Sequence, residues 1–148
     1  SRIISFDIAS GEATAEHVYE TDPVFAKATL PPFWNDNGLS EFMTDGPNLR
    51  TVERSYAHGV GNLISIYRAS FEGATDVNGK SSLEGSAATP LKKELLLRLD
   101  EGTFGLDIDN IESITWGPEI DGAKTLVIAS DNNFNADQFT QFVVIKLP

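Results

Sequence analysis

Carboxylates and side-chain amides gather at Asn37 to Glu41, at Asp109-Asn110-Ile111-Glu112 and at Asp131-Asn132-Asn133. These are the oxygen donors that hard cations accept, Ca²⁺ taking about six to eight of them. Asn37 and Glu41 stand early in one strand pattern, and Asn110 and Glu112 hold comparable places in a second. If both strands line a common axis their oxygens meet there, and a Ca²⁺ ion is expected on Asn37, Glu41, Asn110, Glu112, Asp131 and Asn132. Carboxylates crowded together with no cation would repel one another. The alternative is that Asp109 and Asn110 only form an Asx turn and Glu112 faces solvent. Asp131 to Asp137 also has D-x-N-x-N-x-D spacing, but Ala136 replaces the sharp-turn Gly of an EF-hand loop and Phe142 its bidentate Glu. A turn in which Asn residues tolerate left-handed φ explains most of that segment.

Anion chemistry is offered by Glu53-Arg54. Facing a channel as a pair, they would let the guanidinium hold a phosphate bidentately; a structural ion pair is the alternative. Histidine is the side chain that titrates near neutral pH, so His58 is the general-acid candidate, its other role being to cap a turn in Tyr56-Ala57-His58-Gly59. Arg54, His58 and Glu53 are thus the candidate catalytic residues. His17 and His58 are too few for a zinc site, Gly59-Val60-Gly61 is turn chemistry, and the sequence holds neither a Gly-x-Ser-x-Gly elbow nor a P-loop.

Strands must position these residues. Arg2 to Ile8 alternates apolar and polar residues, Ser10-Gly11-Glu12 turns, and Ala15 to Tyr19 returns. Residues 22–36 contain Asp22-Pro23, Pro31-Pro32 and Asn35-Asp36, an extended connector. Strands are expected at Leu39 to Met43, Leu49 to Ser55 and Leu63 to Ala69, with turns at Asp45 to Asn48 and Gly59 to Asn62. Residues 72–90 lack any period and read as a mobile surface loop. Leu91 to Leu99 has helix-forming composition but only strands for neighbours, and an outer strand is preferred. Three more strands follow, Asp109 to Pro118, Thr125 to Phe134 and Phe139 to Leu147; Trp34, Trp116 and the phenylalanines are assigned to packing between sheets.

Strand-turn-strand-turn-strand occurs over residues 38–70 and again over 109–147, and Arg2 to Ala9 resembles the third strand of that unit. A repeated four-stranded antiparallel unit is the pattern of an all-β propeller, here with a blade end at 1–21, a blade at 37–99 and another at 109–148. Since a propeller needs about four to eight blades, this chain would supply two to three, and its partners would be the remaining N-terminal blades on another segment or chain. Ser1 rather than Met at the start fits a processed product or a piece of a longer chain. At 148 residues with 41% hydrophobic content, one real core is expected. Eleven Lys and Arg against 22 Asp and Glu give a net charge of −11, which argues against nucleic acid as a partner. Cysteine is absent, which removes disulfides and thiolate chemistry, and no apolar run reaches the roughly 20 residues of a membrane span.

Glu53-Arg54-Ser55-Tyr56, Asp109-Asn110-Ile111-Glu112-Ser113, Thr125 to Phe134 and Thr140-Gln141-Phe142, in that order, resemble the C-terminal portion of the phytase-like family, also called esterase-like activity of phytase. Ser113 stands where the family has Gly. The resemblance implies a β-propeller of exported proteins, periplasmic or secreted, with hydrolytic activity on phosphate or other esters. The expectation is a Ca²⁺-dependent hydrolase of phosphoesters, the ion polarising a phosphoryl oxygen and offsetting the acidic surface, with Arg54 clamping a small phosphoester substrate. The alternative is a non-catalytic, calcium-stabilised propeller serving as a binding platform.

Overall fold

The alternating patterns become nine strands in the computed structural model, which describes residues 1–147. A 3₁₀ turn, Thr103–Gly105, is the sole helical element among the described residues, and no helix there is long and apolar enough to cross a membrane. The strands form three antiparallel sheets in which each strand pairs with its sequence neighbour. The first sheet holds β1 (Arg2–Phe6) and β2 (Ala13–Val18). The second holds β3 (Asn35–Asp45), β4 (Asn48–Ala57), β5 (Gly61–Ser70) and β6 (Lys92–Asp100). The third holds β7 (Ile111–Ile120), β8 (Ala123–Ser130) and β9 (Phe142–Lys146). The described residues form a stack of three sheets rather than a closed ring.

The second sheet is covered on both faces, and the period of two along β4 shows how. Leu49, with Ala69 of β5, packs toward the first sheet against Ile3, Tyr19 and Leu91. Val52, with Ile64 and Ile66, packs toward the third sheet against Ile111, Ile114, Leu126 and Ile128. A strand buried on both faces needs an almost continuous apolar run, which Leu63-Ile64-Ser65-Ile66-Tyr67 supplies. The helix-forming residues of 92–100 are drawn into a strand because β5 offers an open edge, from Ser70↔Lys92 to Leu63↔Asp100, and because pairing buries Leu99.

Three local expectations are corrected. β1 ends at Phe6 and β8 at Ser130, so residues 131–134 turn rather than extend the strand. Residues 72–90 are irregular yet pinned to β2, through the bridge His17↔Asp76 and the Val77 amide donating to the Glu16 carbonyl, with Val77 fully buried. Trp34 does not pack between sheets; it is 53% exposed.

The connector before β3 returns to the end of β4. Thr29 and Leu30 amides donate to the His58 carbonyl, and the His58 amide donates to that of Trp34. Gly59 permits this approach: its φ is +80°, and a Cβ there would lie 2.5 Å from Thr29 Oγ1. Trp34 is thereby held beside Tyr56, with ring centroids 5.5 Å apart.

Candidate functional site

The leading ends of β3 and β7, the trailing end of β4 and the β8–β9 loop enclose a cleft of about 630 Å³. Its wall on the second sheet carries Trp34 just before β3, Asp36 at the start of β3, Arg54 and Tyr56 from one face of β4, and His58 from the turn after β4. Its opposite wall carries Asp109, Asn110 and Glu112 at the start of β7, with Asn133, Asn135 and Gln138 from the loop. A β-bulge between Ile111 and Ser113 sets Glu112 out of register with β8. Bulges re-aim side chains, and here Glu112 Oε1 accepts from Arg54 Nη1 at 3.0 Å and from Asn110 Nδ2 at 3.0 Å. Asp109 turns back on its own loop, accepting from the Asn110 amide, Gln138 Nε2 and the Phe139 amide. His58 Nδ1 is buried and has no hydrogen-bond partner among the described residues, which leaves the imidazole with an unmet donor or acceptor.

Arg54, His58, Asn110 and Glu112, four of the residues singled out from the sequence, share this cleft. Glu53 does not. As Arg54's neighbour on a strand it points to the opposite face, so the two are not a channel-facing pair. Glu53 is 1% exposed and accepts from Tyr19 Oη (2.9 Å), the Asp22 amide (2.8 Å), Asn37 Nδ2 (2.9 Å) and Lys93 Nζ (2.5 Å). Lys93 also donates to Asp22 Oδ1 at 2.6 Å, and the Tyr67 hydroxyl to Asp22 Oδ2 at 2.5 Å. Burial by itself would raise the Asp22 pKa, but the hydrogen bonds from Lys93 and Tyr67 and the ammonium charge outweigh it and hold the group below its ordinary 3.8. Burial would likewise lower Lys93, and its bonds to Asp22 and Glu53 raise it above 10.5 instead. Burial dominates at Tyr19 and pushes its hydroxyl far above the usual phenol range.

The oxygens expected around Ca²⁺ do not converge as arranged. Asn37 belongs to the Glu53 cluster, its amide also donating to the Asp22 carbonyl. Glu41 turns onto the Phe42 amide. Asp131 Oδ1 accepts from the Asn133 amide and Asn132 Oδ1 from that of Phe134, successive Asx turns in which Asn133 and Phe134 take positive φ of 49° and 54°. Glu112 faces a guanidinium, and among the described residues no three His, Cys, Asp or Glu side chains are grouped to hold an ion. As arranged, these side chains serve separate partners.

Sequence reasoning missed Trp34, Tyr56, Asp36 and Gln138 as members of this cleft. Arg54 and Tyr56 are two apart, and continuing the expected Leu49 to Ser55 strand past Ser55 would have put them on one face.

The phytase-like family, described as esterase-like activity of phytase, matches residues 1–134, and the chain belongs to it. No curated protein and no solved structure gave a significant match.

Proposed function

We propose that the chain is part of a β-propeller hydrolase, and that esters are bound and cleaved in the cleft between the second and third sheets. The observation that carries this reading is Arg54 of β4 and His58 of the turn that follows it in one cleft of ligand size, beside the carboxylates Asp36 and Glu112. Arg54 holds the anionic oxygens of a phosphate ester as a bidentate donor, exchanging its Glu112 contact for the substrate. Water adds its oxygen to phosphorus and gives its proton to a cleft carboxylate. The phosphorus–oxygen ester bond breaks, and the leaving oxygen takes a proton from His58.

The propeller is supported by the stack itself. Apolar side chains remain open on its two outer faces, Ile4 and Phe6 (41% and 59% exposed) at one end and Phe142 and Val144 (72% and 52%) at the other, as blades awaiting neighbours would leave them. In this reading Arg54 itself supplies the positive charge that the substrate meets. Activity toward p-nitrophenyl phosphate is therefore expected to persist in chelator and to fall about a hundredfold in Arg54→Ala. A second reading, a binding platform, is favoured by the extent to which Asp109 and Glu112 are engaged within the protein. Ligand binding with no turnover in the full chain selects it.

A further inference from the structure

The second and third sheets are built alike as far as their third strands and differ beyond them. β5 is covered by β6 from Ser70↔Lys92 to Leu63↔Asp100, whereas β9 pairs with β8 alone among the described residues. The Leu147 amide donates to the Lys124 carbonyl, and the Ser130 amide to that of Gln141. Bonding alternates along an antiparallel pair, so Val143 and Ile145 spend their amides and carbonyls on β8, and those of Phe142, Val144 and Lys146 face the open edge. β9 has neither the proline nor the bulge that blunts an edge, and its one charge is Lys146 at the end.

Beside that edge lies an apolar groove of about 440 Å³. Leu97 and Leu99 of β6, with Phe104 and Leu106 after it, form one side, and Val143 and Ile145 form the other. Phe104 holds a φ of +54°, uncommon for a bulky side chain, and its ring is 83% exposed at the groove. A strand bonded to β9 lies about 4.8 Å further out and sends every second side chain toward β6, which is into this groove. A second copy of β9 would answer the edge but leave the groove unfilled, because its own Val143 and Ile145 are packed on its own core.

We infer that β9 takes a fourth strand from polypeptide outside residues 1–147, antiparallel to it as β6 is to β5. The strand matches the length of β9, about five residues, and is apolar at the alternate positions that cover Leu97, Leu99 and Phe104. The inference rests on the propeller reading above for where that polypeptide comes from, and on nothing in the cleft.

The test uses the complete polypeptide. In hydrogen exchange the Phe142, Val144 and Lys146 amides are expected to be at least about a hundredfold slower than in unstructured peptide, level with Val143 and Ile145. Phe104→p-benzoylphenylalanine, illuminated and read by mass spectrometry, should capture a segment from outside residues 1–147 in which apolar and polar residues alternate. Exchange at the three edge amides near the unstructured rate, or capture of another copy's β9, overturns the inference. The same photoprobe at Phe142, on the outer face of the third sheet, reports a neighbouring blade instead. Capture at Phe142 with fast edge amides defeats this inference and leaves the ring; slow edge amides and capture at Phe104, with none at Phe142, defeat the ring and leave the strand. Neither readout involves turnover, so the hydrolytic reading stands or falls separately.

Discussion

Glu53 and Arg54 are adjacent in the chain and occupy opposite worlds. Glu53 is sealed between the first and second sheets with four donors on its carboxylate, and each polar group around it is answered. Arg54 looks into solvent across a cleft, with one carboxylate opposite and side chains 27% and 38% exposed. The difference follows from strand period: a strand with sheets on both sides can fasten the fold with one residue and present chemistry with the next. A buried, fully bonded charge pair is costly to break, whereas a half-exposed pair is weak and can trade partners with a ligand.

Breaking the buried side should have the largest effect. Glu53→Ala leaves Lys93, the Tyr19 hydroxyl and the Asn37 amide short of an acceptor, and a loss of about 3–5 kcal/mol is expected from urea unfolding. A loss below about 1 kcal/mol would mean that the cluster is not the fastening described. Arg54→Ala should do the converse, with kcat/KM for p-nitrophenyl phosphate down about a hundredfold and stability changed by less than about 1 kcal/mol. Gly59→Ala tests the link between the two regions, since the added Cβ meets Thr29 Oγ1 at 2.5 Å and must hold a positive φ. A destabilisation of about 1–3 kcal/mol is expected, with weakened ligand binding as the connector carrying Trp34 shifts.

The smallest effect is in pH. Because the folded pKa of Asp22 lies below 3.8, its stabilisation is complete above that value and lost as pH falls through the lower one. Lys93 works in the other direction: its folded pKa lies above 10.5, so its stabilisation is complete below 10.5 and lost as pH rises through the higher value. Thermal melts should thus sag below about pH 4 and again above about pH 10.5, and Lys93→Met should flatten both ends.

Much of the fold was legible because alternation and turn chemistry are local. Leu49 to Ser55 and Leu63 to Ala69 read as strands directly, and Ser10-Gly11-Glu12 as a turn, with Gly11 at φ +74°. The 92–100 strand needed its neighbours as an argument, because its leucines and lysines are helix formers by themselves. The cleft was legible only in part. Composition located oxygen-rich stretches, but not which partner each oxygen serves, and Asp131, Asn132 and Glu41 bond to nearby backbone amides instead of facing a shared centre. Adjacency in the sequence suggests Glu53-Arg54 as one pair, although alternation within an expected strand already separates adjacent residues. Trp34 reached the cleft through a connector whose path is fixed by hydrogen bonds to His58, and no local pattern records those.

The division of labour along β4 is tested most directly by the rate of p-nitrophenyl phosphate hydrolysis in the Arg54→Ala full chain, measured on protein whose urea midpoint matches the parent. The rate is expected to fall about a hundredfold at an unchanged midpoint. A parental rate at an unchanged midpoint would contradict it.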